Sequence, residues 1–261
     1  MSKVWTAKMR IISLLMVMSV ACGFFYGVEE KLYLFRLRNI DVVPENVLIE
    51  KETASLISRS SARFWPLLFI GYPSWKMEME KKYPVRFLIR VDGWGEVVIE
   101  WLCLQPIFIV NWHNERWFIT SNGMTWHESN PLWSEANPDV HNLLTLKWHN
   151  SMPPLVPDEA NPNGVRQSIF PVVRTIELVE AIRKTPWIQK IKALELIKIA
   201  GELAVMVEVA SLDKDVSILF EFSESKWNDL APAMETIVKS SDAKALYLDA
   251  TYKDKIVIRN K

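Results

Sequence analysis

Four histidines and two cysteines are the residues best suited to hold a metal ion or act as a nucleophile in this 261-residue chain. His113, His127, His141 and His149 fall in one stretch, yet no two stand at the i, i+4 spacing that puts a pair on one helix face, and no cysteine cluster lies beside them. Metal ligands must converge to ~2 Å from the ion, and this spacing does not bring them together. Cys22 lies in an apolar run and Cys103 in a strand-like segment, so no disulfide is expected between them. The carboxylates are scattered, with no signature that selects a pair for glycoside cleavage. No nucleophile elbow, phosphate-binding loop or dinucleotide fingerprint occurs. No catalytic, metal or cofactor-binding residue is therefore named, and the expected function is non-enzymatic, with no cofactor.

Tryptophan is the other chemistry-bearing residue, and Trp94, Trp101, Trp112, Trp117, Trp126, Trp133 and Trp148 crowd one stretch. Flat aromatic faces stack on sugar rings, which would suit a protein that binds or processes peptidoglycan. Aromatic residues also fill strand faces and cross-strand pairs in any sheet, and no spacing here puts two of these rings on one exposed face. The core reading is preferred. Lys+Arg and Asp+Glu balance at 31 each, so the chain has no overall field to draw nucleic acid.

The elements that must carry any site begin with an apolar run, Ile11 to Val28, preceded by Lys3, Lys8 and Arg10. As a helix it would reach about 27 Å, near the ~30 Å of a bilayer's hydrocarbon. Basic residues are retained on the cytoplasmic side of a span. The expectation is a cytoplasmic tail at 1–10, a transmembrane helix at 11–28, and the bulk of the chain outside the inner (cell) membrane. A cleaved signal peptide is the competing reading.

Beyond the run, Leu34 to Val43 reads as a strand stopped by Pro44, and Val47 to Ser60 as an amphipathic helix. Phe64 to Pro73 reads as an apolar connection, after which Ser74 opens a helix to about Lys82. Val85 to Val91 and Glu96 to Leu104 form a hairpin across Asp92 to Gly95. From Pro106 short strands follow at Ile107 to Trp112, Trp117 to Ser121 and Met124 to Trp126. The proline-rich stretch Ser151 to Pro171 reads as a surface loop. Helices are expected at Val172 to Lys184 and Trp227 to Ser240. Strands are expected at Ile188 to Ile199, Leu203 to Val209, Val216 to Phe222, Leu246 to Asp249 and Ile256 to Arg259. The fold class is α+β: a small β-α-α-β-β domain at 34–105, then a larger mixed α/β domain at 106–261 with a mainly antiparallel sheet.

Tyr83, Pro84 and Val85, the strand Phe87 to Val91, and the run Val97, Ile99, Trp101, Pro106 and Ile107 resemble the POTRA domain of FtsQ/DivIB bacterial cell-division proteins. Phe118, Ile119 and Gly123 fall where that family's β domain begins, and Leu248, Asp249 and Tyr252 where its terminal strand stands. The resemblance implies a divisome scaffold, without chemistry or small-molecule substrate, that recruits and regulates partners at the septum. Those partners would be FtsB/DivIC-like and FtsL-like coiled-coil proteins. A partner strand would add at the C-terminal edge, with Tyr252, Ile256, Val257 and Ile258 as the binding residues. A peptidoglycan-binding protein and a POTRA-bearing secretion component are the alternatives.

Overall fold

The computed structural model of the chain describes residues 12–24, 27, 36–59, 65–136, 140, 143–149, 154, 161, 163–211, 213–252 and 255–260. The expected tail at 1–10, His141 and residues 151–153, 155–160 and 162 of the expected loop lie outside the described residues. The transmembrane helix is corrected. Helix α1 is described over residues 12–24 and again at Gly27. Among the described residues no helix is long and apolar enough to cross a membrane. The inner-membrane placement rested on that span and falls with it.

The described residues form two compact units, one within 1–79 and 85–102, the other within 80–84 and 103–261. The first carries strand β1 (Asn39–Val43), helix α2 (Val47–Arg59), a 3-10 turn (Trp65–Leu67), helix α3 (Leu68–Lys82) and the hairpin β2 (Val85–Gly93) and β3 (Glu96–Cys103). Asn46 caps α2, its Oδ1 accepting from the Leu48 and Ile49 amides at 3.0 and 3.1 Å. Strand β3 lies between β1 and β2 and runs parallel to β1. Being central, it is the most apolar of the three, with Val97, Val98, Ile99 and Trp101 buried.

Helix α3 begins six residues before the expected Ser74. Leu68, Tyr72, Trp75 and Met79 repeat at helical spacing and are buried, so core packing carries the helix through Pro73, which sits on the exposed side. The Trp75 indole N–H donates to the Glu52 carbonyl of α2 at 3.2 Å, tying the two helices together. In the β2–β3 turn Gly95 has φ +75°, and a side chain there would strike the Arg36 carbonyl.

The second unit is one ten-stranded sheet, ordered β13-β12-β11-β10-β9-β7-β4-β5-β6-β8. Its strands are β4 (Phe108–Trp112), β5 (Glu115–Ile119), β6 (Met124–His127), β7 (Leu144–Trp148), β8 (Arg166–Gln167), β9 (Lys190–Ile199), β10 (Glu202–Ser211), β11 (Lys214–Glu221), β12 (Ala245–Asp249) and β13 (Val257–Asn260). The helices are α4 (Pro131–Ala136), α5 (Val172–Arg183) and α6 (Glu224–Ser240). Pairing is parallel at β4/β7, β7/β9 and β11/β12 and antiparallel at the other junctions.

A parallel pair needs a crossover, and α5 and α6 lie on those connections, between β7 and β9 and between β11 and β12. Leu178, Val179 and Ile182 of α5 and Trp227, Met234 and Val238 of α6 share one core with Val205, Val207, Ile218, Phe220, Leu246 and Leu248 of the sheet. The Trp227 indole N–H is satisfied inside it, donating to Thr185 Oγ1 at 3.0 Å. A second, smaller cluster of Ile109, Phe118, Trp126, Trp133 and Val165 covers the opposite face at the β4–β6 end. Strands there are buried on both faces.

Candidate partner-binding edge

Strand β13 is laid down by the chain's last hairpin. Leu246, Tyr247, Leu248 and Asp249 alternate, so the leucines take the helix-covered face and Tyr247 and Asp249 the other. The antiparallel register sets Asn260 opposite Leu246, Arg259 opposite Tyr247, Ile258 opposite Leu248, and Val257 opposite Asp249. Asp249 closes the end of β12, its Oδ1 accepting from the Thr251 amide at 3.1 Å and the Thr251 hydroxyl at 2.6 Å. The chain then loops and returns as β13. On one side β13 bonds to β12; on the other no described strand stands, because β13 ends the sheet order.

The four residues singled out from the sequence meet different fates. Ile258 faces the same way as Leu248 but is 48% exposed where Leu248 is wholly buried. Val257 is half-buried beside it. Ile256 is drawn inward, packed against the main core, so its side chain serves the fold. Tyr252 stands in the loop, 48% exposed, with the Lys255 Nζ 5.1 Å from its ring centre. Ile256, Val257 and Ile258 are thus contiguous along one edge, and Tyr252 flanks them.

Tyr247 and Arg259 belong to this edge and were not singled out. Burial pushes the Tyr247 phenol up, Asp249 adds to that, and Arg259 opposes it, so the hydroxyl stays a neutral donor. The signal that could have found them is the alternation of Leu246 to Asp249, which puts Tyr247 on the face away from the core.

The alternative sites fare differently. Trp101, Trp117, Trp126, Trp133 and Trp148 are buried, and Trp126 stacks near Phe118 and meets Trp133 edge to face. Trp112 is half-buried and Trp94 is 53% exposed, so most of the aromatic faces that a glycan needs are inside. Among the described residues no group of three or more His, Cys, Asp or Glu could hold a metal ion. Burial raises the Cys103 thiol above its ordinary range, which disfavours the reactive thiolate. Compared with known proteins, the chain matches no family model and no curated sequence.

Proposed function

We propose that this chain is a non-enzymatic scaffold of the bacterial division machinery that takes a partner's extended segment onto strand β13. The observation that carries the reading is that β13 ends a ten-stranded sheet with one side unpaired by any described strand. A row of backbone N–H and C=O groups on such a side is a template for strand addition. Ile258 and Tyr252 offer exposed apolar surface along it. The order strand, helix, helix, strand, strand in the first unit supports the likeness to POTRA domains. The partners under this reading are the FtsB/DivIC-like and FtsL-like coiled-coil division proteins.

Successive N–H groups of a strand point to opposite sides, and proline removes one such donor. Of Val257→Pro and Ile258→Pro, one strips a donor from the β12 ladder and the other from the free side. Partner affinity and thermal unfolding are measured for both in the full chain. One variant is expected to lose partner binding with its unfolding temperature unchanged. Binding lost only in step with unfolding, or kept in both, removes the strand-addition reading.

A further inference from the structure

We infer that Asn163 is a site of spontaneous covalent modification, converting through a cyclic imide with Gly164 to aspartate and isoaspartate. The inference is independent of the β13 edge. Ring closure needs the side-chain amide carbon to reach the next residue's backbone nitrogen, and a following glycine offers the least steric resistance. Asparagine precedes glycine at two places in the chain, Asn122–Gly123 and Asn163–Gly164, and aspartate does so at one, Asp92–Gly93. The fold treats the three differently.

At the first pair both reacting groups are tied to Thr120. The Gly123 amide donates to the Thr120 carbonyl at 3.0 Å, and the Asn122 Oδ1 accepts from the Thr120 hydroxyl. Thr120 is itself buried, with its amide donating to the Met124 carbonyl at 2.9 Å and its hydroxyl accepting from the Met124 amide at 3.0 Å. Asn122 therefore cannot swing toward Gly123 without loosening the turn between β5 and β6. The Asp92 carboxylate is held by the Arg90 guanidinium at 2.5 Å, and a carboxylate accepts a nucleophile poorly. Asn163 is exposed, and among the described residues its side chain has no hydrogen-bond partner. The Gly164 amide donates to the Asn161 carbonyl at 3.1 Å, much as Gly123 does to Thr120. The two glycine amides are held alike, and the side chains make the difference.

The step balances with water alone. The Gly164 nitrogen gives its proton to hydroxide and bonds to the Asn163 side-chain carbonyl carbon; the bond from that carbon to the amide nitrogen breaks, and ammonia leaves. Water then opens the imide at either carbonyl. A carboxylate now stands where an amide stood, adding one negative charge to a chain in which Lys+Arg and Asp+Glu balance at 31 each. The isoaspartate product also inserts a methylene into the main chain beside the Asn163 carbonyl. That carbonyl accepts from the Asn130 Nδ2 at 2.9 Å, and the same nitrogen donates to the Lys82 carbonyl at 2.9 Å. Asn130 is 1% exposed, so displacing one acceptor leaves a buried donor unsatisfied and makes the isoaspartate form the less stable one.

The test incubates the full chain at mildly alkaline pH and follows the three glycine-containing peptides by mass spectrometry, with chromatography separating aspartate from isoaspartate. The chain unfolded in denaturant is the reference. In the folded chain Asn163 is expected to convert about tenfold faster than Asn122, the scale of one hydrogen bond that must first break, while the unfolded chain converts both alike. Thr120→Val, which removes the hydroxyl, should raise the Asn122 rate toward that of Asn163. Asn163→Gln, at an exposed position, should abolish the acidic species that ion exchange resolves from the aged parent. The isolated isoaspartate fraction should unfold at a lower temperature than the fresh chain. Folded chain that converts Asn122 as fast as Asn163, or that keeps Asn163 intact while unfolded chain converts it, overturns the site. An isoaspartate fraction that unfolds together with the parent overturns the link to Asn130.

Discussion

Strands β2 and β13 are both outermost in their sheets, and they present different surfaces to a passing segment. Strand β2 is nine residues long and has Leu88 53% exposed, so by length and apolarity it is the more adhesive of the two. Its outward face, however, alternates Arg86, Leu88, Arg90 and Asp92, and the Arg90 guanidinium binds both Asp92 and Glu100 of β3. Those carboxylates hold the guanidinium charged and in place. Mixed charge beside an open edge is how sheets discourage pairing with another chain. Strand β13 has only four residues, and Val257 and Ile258 carry no such guard; Arg259 is its one charge, set opposite Tyr247. An edge's availability thus follows from what flanks it more than from its length.

The largest effect is expected where β13 leans on the core. Leu248→Ala removes a wholly buried side chain directly opposite Ile258 and should cost about 2–5 kcal/mol in denaturant unfolding. Partner binding should fall with it, because the strand that holds β13 in register is loosened. A stability loss with full binding would mean that the partner site lies elsewhere.

Next in size is the contrast between edges. The outward-acting proline of the Val257 and Ile258 pair should weaken partner binding by on the order of 1–4 kcal/mol. Leu88→Pro and Ile89→Pro, tested the same way on β2, should leave partner affinity unchanged in whichever variant stays folded. If a folded β2 variant loses the partner, the two edges have been assigned the wrong way round.

Tyr252→Ala sharpens the same comparison at a single side chain. Binding should weaken by about 1–4 kcal/mol, as for an interface anchor, while stability moves within about 0.5 kcal/mol, as for an exposed loop position. Equal affinity of variant and parent in titration calorimetry removes Tyr252 from the interface. The smallest effect concerns the guard on β2. Arg90→Val exposes an unbroken apolar stretch there, and light scattering should show concentration-dependent self-association absent from the parent. No change would mean that β2 is protected by something other than its charges.

Much of the local structure was legible in the residues. Strand-like runs marked β2, β3, β9, β10 and β11, the helical spacing of Ile176, Val179 and Ile182 marked α5, and the run Ile256 to Arg259 marked a short final strand. Strand β7 escaped notice although Leu144, Leu146 and Trp148 alternate, and the helix at 68 was hidden by Pro73. Local signals of this kind depend on period and on backbone chemistry within a few residues, which the order of amino acids contains. The apolar run at 11–28 shows the limit: hydropathy counts apolar residues, whereas crossing a bilayer also requires a helix of sufficient length, and none occurs among the described residues.

Which strands become neighbours was decided only in three dimensions. Nothing near Leu144 states that β7 will lie between β4 and β9, nor near Val257 that β13 will have β12 on one side and no described strand on the other. Such pairings join residues far apart in the chain and are selected by burying two faces of a sheet at once, as α5 and α6 do on one side and Trp126 and Trp133 on the other. The same global packing took Ile256 into the core and left Ile258 at the rim. Residue types set what chemistry each of these side chains has; only their neighbours in the folded sheet set which of it faces solvent.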